Sequence, residues 1–169
     1  AREATGLLAL SAAADELIGV PDVVRVVDDG IVLSWIEEGR RGAASEASFG
    51  RGLATIHRTT APAFGGLVGA EDGYIGSMRV DLTPTASWSE FYVTRRLQPM
   101  AGEAIARGRL DPRARALIDQ LASRADELCG PPEPPALVHG DLWAGNRLVG
   151  QVDGQRANWL IDPAASWAH

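Results

Sequence analysis

Residues 130–135 read Gly-Pro-Pro-Glu-Pro-Pro, and this run divides the chain. A proline removes a backbone donor and fixes φ, so neither a helix interior nor a central strand can pass through four of them. The run is a stiff linker. Directly before it, Ala114, Leu117, Ile118, Leu121, Ala125 and Leu128 recur at helical spacing from a start at Asp111-Pro112. Directly after it come a polar loop and two short strands, "RLVG" and "NWLI", around a turn at Asp153-Gly154.

The residues upstream are patterned differently. Positions 2–18 carry Ala4, Leu7, Leu8, Ser11, Ala14 and Ile18 at helical spacing, and Val20-Pro21 breaks the pattern. "VVRVVDD" and "GIVLSWI" predict two strands joined in a tight hairpin at Asp28-Asp29-Gly30. Ser45 caps a further helix whose Phe49, Leu53, Ile56 and Thr60 share a face, and residues 61–85 read mostly as loop. A long helix from about Ser87 to Arg107 should bury Trp88, Phe91, Tyr92 and Met100. Helix, strand pair, several helices and then a loop flanked by short strands is an α+β order, not the alternation of a doubly wound sheet.

Composition narrows the class of function. The 169 residues are 46% hydrophobic and 22% charged, as in an ordinary globular domain. No apolar run approaches the roughly 18–20 residues that span a bilayer, and the net charge of −6 argues against nucleic acid or an anionic membrane as partner. One cysteine, Cys129, suits a reducing cytoplasm and reads as a small apolar residue near a helix end. All 16 basic residues are arginine, which points to a GC-rich bacterial genome. The chain opens on Ala-Arg inside a helical pattern and ends at "SWAH" without a stop signal, so a fragment is expected.

Chemistry concentrates in "LVHGDLWAGN", residues 137–146. Asp141 precedes Asn146 by five positions on one compact loop, and Asp162 follows the strand "NWLI". If the two short strands pair, Asn146 and Asp162 lie at the same end of the hairpin. An amide oxygen and a carboxylate there are the hard donors that Mg²⁺ prefers, with Asp141 left as an unliganded base. This is the kit of phosphoryl transfer. Protein kinases carry the same Asp-to-Asn spacing in H-R-D-L-x-x-x-N and a later D-F-G. Here Gly140 stands for the arginine and Pro163-Ala164 follow the later aspartate, which points to small-molecule kinases.

"VHGDLWAGN" with "LIDPAASWAH" resembles the fructosamine kinase (ketosamine-3-kinase) family, whose motifs read H-G-D-L-W-x-G-N and I-D-P-A. "EATGLLAL", "LATIHRTT", "FG" at Phe64-Gly65, "GYIGS" and "SWSEFYVTRRLQP" extend the resemblance over nearly the whole chain. It implies a protein-kinase-like, aminoglycoside-phosphotransferase-like fold. Residues 1–37 would be the remainder of a small N-lobe, and residues 38–169 a mostly helical C-lobe incomplete at its C-terminus. It also implies an ATP- and Mg²⁺-dependent kinase acting on a sugar hydroxyl of a ketosamine or glycated amine. Asp141 would be the catalytic base, and Asn146 and Asp162 would hold Mg²⁺. Glu3 would be the helix glutamate that pairs with a strand lysine, Ser34, Trp35 and Ile36 the hinge meeting adenine, and Trp143 a wall of the substrate site.

Other residues read as structural. His139 is expected to brace the loop backbone, His57 to pack in the core, and His169 to serve as scaffold. Trp35, Trp88 and Trp159 are also explained as core aromatics, and Arg40-Arg41 and Arg95-Arg96 as solvated faces. The sequence contains no lysine, so the family's phosphate-binding lysine has no counterpart here, and these residues alone should have little phosphotransfer activity. Two rival readings stand: an aminoglycoside- or choline-type phosphotransferase, against which Trp143 argues, and a non-catalytic nucleotide-binding protein derived from a kinase. The sequence does not speak to oligomeric state.

Overall fold

The computed structural model describes residues 2–40, 43–152 and 155–169. The chain begins with α1 (Arg2–Ala13), β1 (Ile18–Gly19), β2 (Val23–Val27), β3 (Gly30–Leu33) and α2 (Ala43–His57). Then follow β4 (Gly65–Gly66), β5 (Asp72–Ile75), β6 (Met78–Asp81) and α3 (Trp88–Phe91). A π-helical stretch, Tyr92–Leu97, leads into α4 (Gln98–Ala106), α5 (Ala114–Ser123) and α6 (Ala125–Leu128). The last elements are β7 (Ala136–Val138), a 3₁₀ turn at Ala144–Asn146, β8 (Arg147–Val152), β9 (Gln155–Leu160) and β10 (Ser166–Ala168). The architecture is mixed α+β.

Contacts divide the chain into two compact units, Ala1–Ala61 with Ala136–Trp167, and Pro62–Pro135 with Ala168–His169. In the first, β9 lies between β1, to which it runs parallel, and β8, to which it runs antiparallel. The β8–β9 register pairs Arg147 with Leu160 and Leu148 with Trp159, so the two ends of the hairpin meet beside the loop preceding β8. The expected turn at Asp153-Gly154 lies outside the described residues, as does Arg41. The core of this unit is made by Leu7 and Leu10 of α1, Ile56 of α2, Leu137 of β7 and Leu160 of β9, all fully buried. Each such side chain contributes roughly 1.5–3 kcal/mol relative to leaving it in water.

α1 stops at Ala13, short of the 2–18 range its apolar spacing suggests. Asp15 explains the difference. Its Oδ1 accepts from the Leu17 amide at 3.0 Å and its carbonyl from the Ile18 amide at 3.2 Å, a local turn that competes with continuing the helix. The hairpin expected at Asp28-Asp29-Gly30 forms, with Val27 opposite Gly30. The α2 face contains a buried Ile56, but the helix ends at His57, leaving Thr60 exposed beyond it. His57 is exposed rather than packed in the core.

The second unit departs more from expectation. Residues 61–85 are loop over more than half their length, as expected, but β4, β5 and β6 lie within them. β5 and β6 form a regular hairpin with Ile75 opposite Met78, closed by Gly76-Ser77, where Gly76 has φ 57°. A positive φ at the first turn position is what glycine tolerates and what a two-residue hairpin needs. Val80 and Leu82 then join Phe64 and Phe91 in a buried cluster, with Trp88 and Met78 against it. Ser87 caps α3, accepting from the Glu90 amide at 3.2 Å.

The helical run from Trp88 to Ala106 is not uniform. Pro99 has no N–H for the Arg95 carbonyl and its ring crowds that group, and the π stretch lies at this point, with the Gln98 amide donating to Val93. The Arg96 Nη1 sits 3.5 Å from the Arg95 carbonyl. Phe91 is buried, but Tyr92 and Met100 are exposed, against expectation. Arg95 and Arg96 are half-buried rather than solvated: Arg95 pairs with Asp81 at 2.9 Å and Arg96 lies 5.1 Å from the Phe91 ring centroid. On α5 and α6 the apolar stripe is broken at Arg124, and Leu117, Leu121 and Leu128 are exposed while Ile118 is buried.

Candidate active site

The loop between β7 and β8 is built from the backbone outward. β7 delivers Leu137 to the core, and His139 next to it is 1% exposed. The His139 Nδ1 accepts from the Asp141 amide at 3.3 Å, which puts its proton on Nε2, and that nitrogen donates to the Ile161 carbonyl at 3.0 Å. Both ring nitrogens are thus committed to backbone, one on each side of the site. Burial pushes the His139 imidazole below its ordinary pKa, and the hydrogen bond to Ile161 and the charges of Asp141 and Asp162 offset this in part. His139 braces the loop, as its position suggested.

Gly140 has φ 83°, a left-handed conformation, and the space where a Cβ would stand is filled by the backbone of Ala164. The loop therefore lies flush on the segment after Asp162. Asp141 follows and is exposed, free to meet a ligand. The 3₁₀ turn ends at Asn146, which is 5% exposed.

Asn146 ties the loop together. Its amide nitrogen donates to the Asp141 carbonyl at 2.9 Å, to Asp141 Oδ2 at 3.2 Å and to the Asp162 carbonyl at 3.4 Å. Its backbone carbonyl accepts from the Ile161 amide at 3.1 Å. Asp162 itself has φ 53°, the one described non-glycine residue with positive φ, and is exposed. Such strain costs about 1–3 kcal/mol and persists where neighbours over-determine the backbone. The three residues Asp141, Asn146 and Asp162 thus come together as the hairpin geometry requires. The Asn146 amide nitrogen is spent on the Asp141 and Asp162 oxygens, which leaves its own oxygen as the end of the side chain that could serve a cation. One amide oxygen and one carboxylate suit Mg²⁺, which keeps waters and phosphate oxygens in its shell and needs few protein ligands. Among the described residues no three His, Cys, Asp or Glu side chains gather into a metal cage.

Glu3 stands on the first turn of α1 and is half-buried. Burial, and second to it the charge of Asp162, hold its carboxyl above the ordinary range. α1 reaches this region because Gly6 permits it: a Cβ there would lie 3.2 Å from the Ala165 Cβ and 3.3 Å from Pro163. Glu3 is therefore electrostatically coupled to the cluster.

Ser34, Trp35 and Ile36 lie beyond the end of β3. The Ser34 side chain accepts from the Asp22 amide at 2.9 Å, and its own amide donates to the Asp22 carbonyl at 3.0 Å. Trp35 is 92% exposed, not a core aromatic. The chain then settles on β8, where the Gly39 amide donates to the Val149 carbonyl and Ile36 and Glu37 crowd Gly150. The Trp159 ring packs over Gly19 and Gly150, with its Nε1 buried and unpaired. Trp143 is 63% exposed, and its ring covers Gly145 so closely that a Cβ there would overlap it.

Sequence reasoning passed over Arg147. It is 8% exposed, follows Asn146 directly and is held by Asn158, Glu46 and Ser45. A charged residue at the start of a short strand gave no signal of burial, because two of its partners, Ser45 and Glu46, lie about a hundred positions upstream.

Comparison with known proteins fits this geometry. The sequence profile of the fructosamine kinase family matches residues 1–169. A probable ketoamine kinase of Synechocystis sp. is 34% identical over 170 residues, covering 96% of this chain and 53% of the relative. A chloroplastic protein-ribulosamine 3-kinase of Oryza sativa subsp. indica is 30% identical over 174 residues, covering 99% of this chain and 48% of the relative. The crystal structure of a candidate fructosamine-3-kinase from Thermobifida fusca superposes with a TM-score of 0.87 at 38% identity, covering 99% of this chain and 55% of that one. The chain spans about half the length of the curated relatives it matches. It belongs to the fructosamine kinase family.

Proposed function

We propose that this chain carries the catalytic loop and metal-binding residues of an ATP- and Mg²⁺-dependent kinase that phosphorylates a sugar hydroxyl of a ketosamine. The observation that carries the reading is the convergence of Asp141, Asn146 and Asp162 through one side-chain amide. Family membership supports the substrate class, since relatives bear the names ketoamine kinase and protein-ribulosamine 3-kinase.

In this reading the fold is protein-kinase-like, with residues 1–37 belonging to an N-lobe and 38–169 to a C-lobe, and the protein works in the cytoplasm. Asp141 orients the sugar hydroxyl and accepts its proton. A bond forms between that oxygen and the γ-phosphorus of ATP, the bond from the γ-phosphorus to the bridging oxygen breaks, and ADP leaves. Mg²⁺ held by Asn146 and Asp162 supplies neutralisation of phosphate charge. The backbone of Ser34 to Ile36 meets adenine, Glu3 serves the phosphate side, and exposed Trp143 offers an apolar face to the sugar.

The test uses the whole protein with Mg-ATP and three acceptor classes: a fructosyl or ribulosyl amine, an aminoglycoside and choline. ADP release with an 80 Da gain on the ketosamine alone, about one phosphoryl group, is expected. Phosphorylation of the aminoglycoside or choline instead would move the protein to the rival class. Nucleotide binding without transfer to any acceptor would make it non-catalytic.

A further inference from the structure

Arg147 lies one residue from Asn146, and the two side chains serve opposite sides of the same peptide. Asn146 turns toward Asp141 and Asp162, whereas Arg147, extended at φ −125° and ψ 119°, turns toward α2. We propose that Arg147 is a positioning residue for the Asn146 amide, holding the start of β8 against α2 so that the amide oxygen stays where a cation needs it. The inference rests on the assignment of Asn146 as a metal ligand made above.

The clamp is complete on the side away from the site. Arg147 Nη2 donates to Asn158 Oδ1 at 2.7 Å and Nε to the same oxygen at 3.1 Å. Nη2 also reaches the Ser45 carbonyl at 3.3 Å, and Nη1 pairs with Glu46 Oε2 at 2.6 Å. The guanidinium carbon stands 4.1 Å from the Phe49 ring centroid. Asn158 is itself tied to α2, donating to the Ser45 carbonyl and to Ser48 Oγ, both at 3.1 Å. Both strands of the hairpin are thus bolted to the first turns of one helix. A planar, always charged fork fixes such a register as an apolar side chain of equal volume cannot.

Burying an arginine is costly, and filling the same volume with an apolar residue would serve stability alone as well or better. The geometry beside the site gives the charge a purpose. The Asn146 backbone is held at its carbonyl by the Ile161 amide and at the next residue by the Arg147 contacts, so displacing the start of β8 from α2, and the Asn146 side chain with it, requires breaking the clamp.

The test measures Mn²⁺ binding, as a stand-in for Mg²⁺, to the whole protein with a non-hydrolysable ATP analogue, using the electron paramagnetic resonance signal of free Mn²⁺. Melting temperature and ketosamine KM are measured alongside. Arg147→Met should weaken Mn²⁺ binding about tenfold, the range seen when outer-shell partners of metal ligands are removed. Arg147→Lys should recover part of the loss, and the ketosamine KM should not move. A lower melting temperature with unchanged Mn²⁺ affinity would make Arg147 merely structural and overturn the proposal. Should Arg147→Met fail to fold, Glu46→Gln and Phe49→Leu loosen the clamp from its exposed side, and unchanged Mn²⁺ affinity in both overturns it equally. Asn146→Ala separates the two claims. If Asn146→Ala leaves Mn²⁺ binding intact, the metal assignment fails and this proposal with it; if Asn146→Ala abolishes binding while the Arg147 variants do not weaken it, this proposal fails alone.

Discussion

The side-chain nitrogen of Asn146 donates to two oxygens of Asp141, the carbonyl at 2.9 Å and Oδ2 at 3.2 Å. The residue proposed as a metal ligand therefore also holds the residue proposed as the base. This coupling means that a change at Asp141 can be made without disturbing the loop, provided an oxygen acceptor is kept.

Asp141→Asn keeps that acceptor and removes the proton-accepting carboxylate. Turnover should fall by about 10²–10⁴, the usual contribution of a positioned base, while Mg-nucleotide affinity stays within about twofold. Steady-state kinetics beside a nucleotide titration measures both. Turnover within tenfold of the parent would remove Asp141 as the base.

Gly145→Ala attacks the proposed substrate wall at Trp143 rather than the chemistry. The new methyl would occupy space held by the Trp143 ring, and because that ring is exposed it can swing away at little cost to stability. The ketosamine KM should rise about tenfold, in line with the loss of one apolar contact in a binding pocket. Thermal unfolding should change by less than about 1 kcal/mol. An unmoved KM would show that Trp143 does not line the substrate.

Gly140→Ala should fail for a backbone reason. Left-handed φ and overlap with the Ala164 backbone act together, and the two penalties sum to about 2–6 kcal/mol. Chemical denaturation should show the midpoint shifted with the slope unchanged. A stability equal to the parent would mean that the loop does not rest on the Asp162 segment.

Acid should act through His139. Its folded pKa lies below the ordinary 6.5 because burial favours the neutral ring, so the unfolded chain binds more protons in that window. Stability from this residue is complete above pH 6.5 and is lost as pH falls below it toward the folded value. The slope from one such group is at most about 1.4 kcal/mol per pH unit. Stability against pH for the parent and His139→Gln should differ in slope below pH 6.5, with the variant flatter. Parallel curves would show that the ring titrates freely.

Local signals were legible in the sequence and distant ones were not. Asp28-Asp29-Gly30, the β8–β9 strands and the Asp141-to-Asn146 spacing depend on neighbours a few residues away, and the fold brings them together as read. Gly76-Ser77 was an equally local hairpin signal, but surrounding glycine and proline obscured it. The exposure of Leu117, Leu121 and Leu128 could not be foreseen, since periodicity reveals which residues share a face and not what covers it. Arg147 is the limiting case. Its burial depends on Ser45 and Glu46 from a remote helix, and nothing in its own segment distinguishes it from a solvated arginine.

Gly6 bears on motion as well as on packing. At Gly6 the Pro163 and Ala165 side chains lie directly against the α1 backbone, so the helix that carries Glu3 and the segment that follows Asp162 share a close contact with little room to give. Neither can slide or tilt without displacing the other. Any rearrangement that swings α1 during a working cycle must carry the backbone beside Asp162 with it, so the two move as one lever.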